Sequence, residues 1–308
     1  MTVFLSEHIH PDARKALEAV CTVVDNFDHP DEIDAIILRT FPVDAAIMDR
    51  CKNLKVIGKH GVGCNTIDLE AAKARGIMVL NTPRANTNSV AELIVGLILD
   101  ISRNITLAHE KSRDGKILKV APAEMTGMEV SGKTLGLVGT GNIARRAAEI
   151  LKNGFGVNVV GYDPFVTKES MEAMGFQKYD TVKELIAASD IVNVSVPLTP
   201  ATKDLISGDT FDYFRKNAVL VNAARGGIVN ETDLYHALKE EKLRAAACDA
   251  FVIEPPSAAN TNLYELENFI GTPHIGACAE EALCRMGDEV VHEVIRVLNG
   301  EEPAHRVV

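Results

Sequence analysis

The sequence has 308 residues, of which 46% are hydrophobic and 24% charged, and its formal net charge is −11. The length suggests about two domains, and the composition is that of an ordinary globular protein with enough apolar residues for a substantial core. The acidic charge argues against a surface for nucleic acid or anionic membrane. The longest apolar run, residues 93–99, is too short to cross a bilayer, and the first residues lack the features of a signal peptide.

The cysteines lie mostly among apolar neighbours, and none of them forms a C-x-x-C pair. This pattern favours reduced core thiols over disulfides or zinc ligands, and therefore a cytoplasmic protein without a metal. The six are Cys21, Cys51, Cys64, Cys248, Cys278 and Cys284.

Strand and helix patterns alternate through the first hundred residues, which predicts a parallel α/β domain. The predicted strands are 3–6, 35–38, 55–58 and 78–81, and the predicted helices are 11–20, 44–51 and 69–75.

Two cations and a glycine loop follow strands of this first domain. Arg39 comes directly after one strand, and Lys59 precedes the loop His60-Gly61-Val62-Gly63. Ligands of open α/β sheets bind at this end of the strands, and the N–H groups of a glycine loop are suited to a carboxylate. The alternative is that the cations are solvated and the loop is an ordinary turn.

A long apolar segment at residues 88–103 contains no proline and predicts a helix. A helix that is apolar on so many sides must be buried by more than its own domain. We therefore expect it to bridge two domains and to form a subunit contact in a homodimer. Residues 115–127 predict an irregular polar connection.

The clearest motif is a glycine turn between a strand and a helix. Residues 134–138 predict a short buried strand, and residues 143–151 carry apolar residues at helical spacing. Between them Gly139, Gly141 and Ala144 match G-x-G-x-x-[G/A]. In this motif the first position allows the tight turn, the second leaves room for a pyrophosphate, and the third lets helix and strand pack closely. The helix N-terminus then faces the phosphates.

An acidic residue completes the motif. Residues 157–162 predict the next strand, and Asp163 stands at its end, 19 residues after Ala144. A carboxylate there accepts hydrogen bonds from ribose hydroxyls and repels a 2′-phosphate, so NAD is predicted in preference to NADP. Glycines alone can match this motif by chance in a chain that has 22 of them. Here the strand, the helix and the acid that the motif also requires are all present.

Charged residues follow three strands of the second domain. Arg225, Glu254 and His274 come after predicted strands 218–222, 245–249 and 269–271, respectively. Because the carboxyl ends of parallel strands line one crevice, we expect the three side chains to converge beside the cofactor. The remaining predicted elements are a strand at 191–196 and helices at 181–188, 233–240 and 280–298.

These three residue types suit hydride transfer to a keto acid. Arg225 offers a fork of donors for a carboxylate and a carbonyl, and His274 is a proton donor that titrates near neutral pH. Glu254 would orient the imidazole and favour its charged form. Each residue alone also has a structural explanation, as a turn residue, a solvated acid or a capping histidine.

Several sequence blocks resemble the signature segments of the D-isomer-specific 2-hydroxyacid dehydrogenases. They are V-N-A-A-R-G-G-I-V-N at 221–230, D-A-F-V-I-E-P-P at 249–256, T-P-H-I-G-A at 272–277, H-G-V-G-C-N-T-I-D at 60–68 and V-A-E at 90–92. The resemblance covers nearly the whole chain. It implies an α/β protein of two Rossmann-like, doubly wound parallel-sheet domains with a cleft between them, usually as a homodimer. The substrate domain, flavodoxin-like, would comprise 1–100 plus 283–308, and the NAD-binding domain 101–282.

The resemblance also implies roles for individual residues. Arg225, Glu254 and His274 would be catalytic, and the amides of Val62 and Gly63 would bind the substrate carboxylate. The implied NAD contacts are Gly139, Thr140, Gly141, Asn142, Ile143, Asp163, Val196, Pro197, Thr202, Ala223, Thr87 and Asp249, the last of these near the nicotinamide carboxamide.

The substrate is the least determined prediction. Arg39 lies where phosphoglycerate dehydrogenases carry basic residues for a phosphate, so a 2-keto acid with an anionic or polar tail is expected, with Lys59 as a further contributor. The end of the chain soon after the last predicted helix resembles the compact phosphoglycerate and hydroxypyruvate type. Reductases of glyoxylate, sulfopyruvate or 2-oxoglutarate are alternatives. Formate is disfavoured, because formate dehydrogenases have glutamine in place of Glu254.

Two alternatives come from other functional classes. An NAD(H)-sensing binding protein is one, because transcriptional corepressors resemble the same family. A hydrolase of the adenosylhomocysteine type is the other, but the lysine and cysteine motif that it would require is not visible in the sequence.

Overall fold

The computed structural model describes residues 1–308, which divide into two compact units. Unit 1 comprises Met1–Ser89 and Ala277–Val308, and unit 2 comprises Val90–Gly276. The sequence instead suggested divisions after residues 100 and 282. Both of those positions lie inside helices. The apolar residues of the first helix, at 90–101, cluster with unit 2, and those of the second, at 282–297, cluster with unit 1.

Unit 1 contains a five-stranded, fully parallel sheet in the order β2-β1-β3-β4-β5. The order reverses between β1 and β3, which makes that position the topological switch point of a flavodoxin-like sheet. The strands are β1 (Thr2–Leu5), β2 (Thr22–Val24), β3 (Ala35–Leu38), β4 (Val56–Lys59) and β5 (Met78–Leu80). The helices are α1 (Pro11–Glu18), α2 (Ala45–Arg50), α3 (Leu69–Ala74) and, from the end of the chain, α10 (Glu280–Leu298).

Alternate side chains of these strands enter two different cores. Val3 and Leu5 pack with residues of α1 and α10, whereas Phe4 packs with residues of α2 and α3. This alternation follows from the two-residue repeat of a strand, and it explains why the strands of a sheet covered on both faces are apolar throughout.

Unit 2 contains a seven-stranded parallel sheet in the order β12-β11-β10-β9-β6-β7-β8. The switch point lies between β6 and β9, where a dinucleotide binds in a Rossmann sheet. The strands are β6 (Thr134–Val138), β7 (Asn158–Tyr162), β8 (Gln177–Lys178), β9 (Ile191–Val194), β10 (Val219–Asn222), β11 (Ala245–Cys248) and β12 (Phe269–Gly271). The helices are α4 (Thr87–Arg103), which begins in unit 1, α5 (Ile105–Arg113), α6 (Asn142–Phe155), α7 (Lys168–Ala173), α8 (Val182–Ala188) and α9 (Glu231–Lys239).

The predicted α/β class with two parallel sheets is confirmed, and four elements were missed. Strands β2 and β8 have only three and two residues, too few for a periodic pattern. Helix α5 has no buried residue, so it lacks the apolar stripe on which recognition of a helix depends. Helix α7 has six residues and buries only Met171.

The packing of α4 removes the reason for which the sequence suggested a subunit contact, namely that its own domain could not bury so apolar a helix. Its apolar residues, among them Ile94, Ile98 and Ile101, belong to one core cluster with residues of β6 and α6. Unit 2 itself therefore buries this helix, and the apolar pattern does not by itself require a second subunit. Neither α4 nor any other helix combines the length and apolar character needed to cross a membrane.

The cysteines are only partly in the core. Cys21, Cys51 and Cys248 are buried, and burial raises the pKa of the Cys51 thiol to about 11. Cys64 and Cys284 are half-buried, and Cys278 is exposed just before α10. The expectation of a core thiol is therefore wrong for Cys278.

Candidate active site

His274 and Glu254 are hydrogen-bonded to each other at the carboxyl end of the larger sheet. Nδ1 of His274 lies 3.0 Å from each carboxylate oxygen of Glu254, and the two side chains are 44% and 38% exposed. Glu254 follows β11, and His274 follows the neighbouring β12. The parallel pairing of these strands brings together residues that are 20 positions apart in the chain.

The environment keeps Glu254 ionised. Burial alone would raise the pKa of this carboxyl, but the hydrogen bond and charge of His274, the N–H of Phe251 at 3.1 Å and the charge of Arg225 outweigh it. The pKa of Glu254 therefore lies below its ordinary value. An ionised carboxylate on Nδ1 fixes the orientation of the imidazole and leaves Nε2 as the nitrogen for a ligand.

Arg225 lies in a loop that is held by its own neighbours. Asn222, the last residue of β10, donates through Nδ2 to the Arg225 carbonyl at 3.0 Å and accepts the Ala224 N–H at 3.1 Å. The next residue, Gly226, packs so closely against Phe251 that a Cβ would lie 2.0 Å from its carbonyl carbon. The R-G-G sequence therefore sets the path of the loop beside that of Glu254.

Asp249 is buried and its side chain holds the His274 loop. Its carboxylate accepts the Thr272 hydroxyl at 2.6 Å and the N–H groups of Ile275 and Gly276, both at 2.8 Å. His274 itself has a positive φ of 56°, which is uncommon for a residue other than glycine. Three hydrogen bonds donated to this one buried acid stabilise the conformation. The sequence identified Asp249 only as a cofactor contact.

The glycine turn fits a dinucleotide. At Gly139, φ is +90° and a Cβ would lie 2.7 Å from the Ser195 carbonyl oxygen, whereas a Cβ at Gly141 would meet nothing within 4 Å. Gly141 is the N-cap of α6, and no side chain caps that helix. The turn thus combines a close backbone crossing with an open, uncapped helix N-terminus, as a pyrophosphate requires. The other predicted contacts of this segment, Thr140, Asn142 and Ile143, lie in the turn and at the start of α6.

Asp163 lies beside the turn at the end of β7. Its Oδ2 accepts the N–H and the hydroxyl of Thr140 at 3.0 and 3.1 Å, and its Oδ1 accepts the N–H of Phe165 at 3.1 Å. Asp163 therefore also stabilises the glycine turn, a role that the sequence did not suggest.

The remaining predicted cofactor contacts fall in two places. Val196, Pro197 and Ala223 follow β9 and β10, and Thr202 donates its hydroxyl to the Pro197 carbonyl at 2.6 Å. Thr87 is the first residue of α4 and belongs to unit 1, and its buried hydroxyl has no hydrogen-bond partner.

The glycine loop of unit 1 leaves two amides unused. Gly61 is bonded to the Lys59 carbonyl and to the Thr82 hydroxyl, and the Val62 carbonyl accepts the Asn81 amide at 2.8 Å. The N–H groups of Val62 and Gly63 donate to no protein acceptor. Adjacent unpaired N–H groups in a held loop are what a carboxylate needs.

Arg39 and Lys59 lie at the ends of neighbouring strands of unit 1, and they contact each other. The Lys59 ammonium donates to the Arg39 carbonyl, and Lys59 is 7% exposed. The Arg39 guanidinium is half-buried and lies 3.0 Å from Sγ of Cys278. Arg39 is therefore the more accessible cation, and Lys59 supports its backbone.

The sequence missed Glu7, which follows β1. Its carboxylate accepts the backbone N–H groups of Arg39, Thr40 and Phe41. The only signal was an acid at the end of the first strand, and nothing local to it pointed to a loop 32 residues away.

Comparison with known proteins decides the family. Residues 95–276 match the family model described as "D-isomer specific 2-hydroxyacid dehydrogenase, NAD binding domain". The chain belongs to the D-isomer-specific 2-hydroxyacid dehydrogenases. Its glycine turn lies within the NAD-binding domain of this family, so NAD is the cofactor.

Relatives within the dehydrogenase family have two different names. D-3-phosphoglycerate dehydrogenase of Methanocaldococcus jannaschii is 40% identical over 97% of this chain and 58% of its own length. Hydroxypyruvate reductase of Thermotoga maritima is 38% identical over 87% of this chain and 85% of its own. The TT0316 protein from Thermus thermophilus shares the fold, with a TM-score of 0.92 and 31% identity over the whole of both chains. This chain spans little more than half the length of the phosphoglycerate dehydrogenases that it matches.

Proposed function

We propose that this protein is an NAD-dependent D-2-hydroxyacid dehydrogenase that interconverts a 2-keto acid and its 2-hydroxy acid, with His274 as the acid and base. The observation that carries the proposal is the hydrogen-bonded pair of His274 and Glu254, at the carboxyl ends of strands in the same sheet as the dinucleotide turn. It combines a proton donor, an orienting acid and a cofactor cradle in one unit.

When bound, the nicotinamide supplies or accepts the hydride at C2 of the substrate. For reduction of a keto acid, charged His274 gives its Nε2 proton to the carbonyl oxygen, because Nδ1 is held by Glu254. In the reverse direction neutral His274 removes the proton from the hydroxyl. Glu254 stays ionised throughout and stabilises the imidazolium.

The substrate carboxylate needs hydrogen-bond donors in both directions of the reaction. The fork of Arg225 binds it and polarises the carbonyl, and the amides of Val62 and Gly63 provide further donors. These roles are supported by the held loop of Arg225 and by the two unpaired N–H groups.

NAD is proposed as the preferred form of the cofactor because Asp163 stands at the end of β7. A carboxylate there would accept hydrogen bonds from the ribose and repel a 2′-phosphate. The remaining proposed contacts would border the dinucleotide, with Asp249 near the carboxamide.

The proposed substrate has a tail of the phosphate or hydroxyl kind, as in 3-phosphohydroxypyruvate or hydroxypyruvate. The names of the two relatives and the accessible cation Arg39 support this choice. Glyoxylate, sulfopyruvate and 2-oxoglutarate are the alternative substrates.

A cytoplasmic homodimer is also proposed. Leu118 and Val120 are 92% and 96% exposed, and Ile105 is 56% exposed. These apolar side chains lie in the segment that follows α4, so a contact through α4 and neighbouring segments would remove them from water. The six free thiols suit the reducing cytoplasm.

The test is NADH oxidation by the purified protein with a panel of 2-keto acids. The panel contains glyoxylate, hydroxypyruvate, 3-phosphohydroxypyruvate, sulfopyruvate, oxaloacetate, 2-oxoglutarate and branched-chain keto acids. Turnover of at least one supports the dehydrogenase, and the ranking identifies the substrate. Binding of NADH without turnover of any of them would contradict the proposal and favour a sensing protein.

A further inference from the structure

Glu7 is fully engaged at the switch point of the unit 1 sheet. Oε1 accepts the Phe41 N–H at 2.8 Å, the Thr40 hydroxyl at 2.6 Å and the Thr40 N–H. Oε2 accepts the Arg39 N–H at 2.8 Å and the Ser6 hydroxyl. One half-buried carboxylate thus receives five donors, three of them consecutive backbone amides.

This arrangement is more than a strand connection. Glu7 follows β1 and Arg39 follows β3, so the two residues flank the point where the strand order reverses. Ligands of open α/β sheets bind outside the carboxyl ends of the strands at such a point. Arg39 is the cation that lies there, in a protein of net charge −11.

Arg39 is held from three sides. Glu7 binds its N–H, Lys59 binds its carbonyl, and Sγ of Cys278 lies 3.0 Å from its guanidinium. A long flexible side chain loses rotamer entropy when it binds an anion, and that loss is smaller if the chain is already held. The contacts of Glu7 and Lys59 fix the backbone from which the Arg39 side chain extends and leave its guanidinium to a ligand, whereas the Cys278 contact restricts the side chain itself.

We propose that Glu7 is a positioning residue for Arg39, the cation already proposed for the substrate tail, and that the charge of Glu7 sets how strongly an anionic tail is preferred. The inference rests on the proposed function and deepens it. Glu7 touches no substrate atom; it acts by fixing the loop from Arg39 to Phe41.

The test compares two acids that differ only in the phosphate. We expect Glu7→Gln to lower kcat/KM for 3-phosphohydroxypyruvate about tenfold or more, through KM, because an amide cannot accept five donors and loses the charge. For hydroxypyruvate we expect a change of about twofold or less, since no tail anion is bound. Glu7→Asp, which keeps the charge, should recover part of the lost preference.

Two further variants separate positioning from general damage. Asp34→Asn is the matched control, because Asp34 accepts the Thr2 N–H at 2.8 Å at the opposite end of the same pair of strands. We expect it to leave the ratio of the two acids unchanged. In an Arg39→Gln background, where the anchor is already lost, Glu7→Gln should have no additional effect on the ratio.

The outcomes distinguish the inference from the function on which it rests. If the unmodified protein turns over neither acid but reduces another keto acid of the panel, the inference is overturned and the proposed dehydrogenase remains. Failure with every keto acid of the panel overturns both. If Arg39→Gln lowers kcat/KM for the two acids equally, the protein is still a reductase, but Arg39 does not bind the tail and the inference is overturned. If Arg39→Gln shows a tail-specific loss, two results would overturn the role of Glu7 alone. One is that Glu7→Gln shows no such loss. The other is that Glu7→Gln lowers the ratio of the two acids by the same factor in the Arg39→Gln background as in the unmodified protein.

Discussion

Removing the charge of Glu254 should slow keto-acid reduction without abolishing it. In Glu254→Gln the partner of His274 keeps its size, but the imidazolium loses the carboxylate that lies 3.0 Å from Nδ1. A hydrogen bond to a charged group contributes about 1.5–3 kcal/mol when buried, and an exposed ion pair about 0.2–1 kcal/mol. The two side chains are 44% and 38% exposed, so a loss of about 1–2 kcal/mol is expected, or about fivefold to thirtyfold in kcat/KM.

The ionisation of Glu254 fixes the pH range in which the loss should appear. The pKa of Glu254 lies below its ordinary value of 4.5, so its carboxylate is ionised across the assay range and Glu254→Gln should be slower at every pH in that range. Steady-state kinetics with NADH and the best keto acid across pH 5.5–9.5, a window of about four units around neutrality, measures the loss. Glu265→Gln, an exposed acid of the same unit that accepts the Tyr235 hydroxyl at 3.3 Å, is the control. An unchanged kcat/KM in Glu254→Gln would refute the reasoning.

Three further predictions concern the proton donor, cofactor selection and acid stability. His274→Ala should reduce turnover at least about a hundredfold while NADH still binds, as measured by NADH fluorescence; parallel loss of binding would mark the residue as structural. Asp163→Ala should raise the ratio of NADPH to NADH activity, although the loss of the Thr140 contacts weakens both; an unchanged ratio would contradict the assignment. Burial opposes ionisation of Glu7, but hydrogen bonds from Ser6, Thr40 and Arg39 outweigh it and lower the pKa of Glu7 to about 2. Its ionised form therefore stabilises the fold fully above its ordinary value of 4.5 and loses that effect as pH falls towards 2. Urea unfolding should show a larger gap between the unmodified protein and Glu7→Gln at pH 7 than at pH 3, and an equal gap at both would be inconsistent with this shift.

The sequence predicted the elements whose patterns are long or highly specific. The strand at 35–38, the strand at 269–271 and the helix at 280–298 have the bounds that were expected, because each has a clear apolar pattern between turn residues. The glycine turn was readable because a close crossing and an open helix N-terminus need small residues at fixed spacing. The three charged residues after successive strands could be selected because parallel strands end at the same edge.

The tertiary structure decided what depends on contacts between distant residues. Nothing near Glu7 indicates that its carboxylate binds a loop 32 residues later, and nothing near Asp249 indicates that it holds the amides of Ile275 and Gly276. The burial of α4 by its own unit was equally hidden, because an apolar helix has the same pattern whether its own chain or a second subunit covers it. The sequence by itself therefore determined the parallel α/β class and the dinucleotide turn, which depend on local pattern and spacing. Only the tertiary structure decided which acidic side chains bind which loops, because the sheets bring the ends of separate strands together. Hydrogen bonds between such distant residues produce no periodic pattern in the sequence.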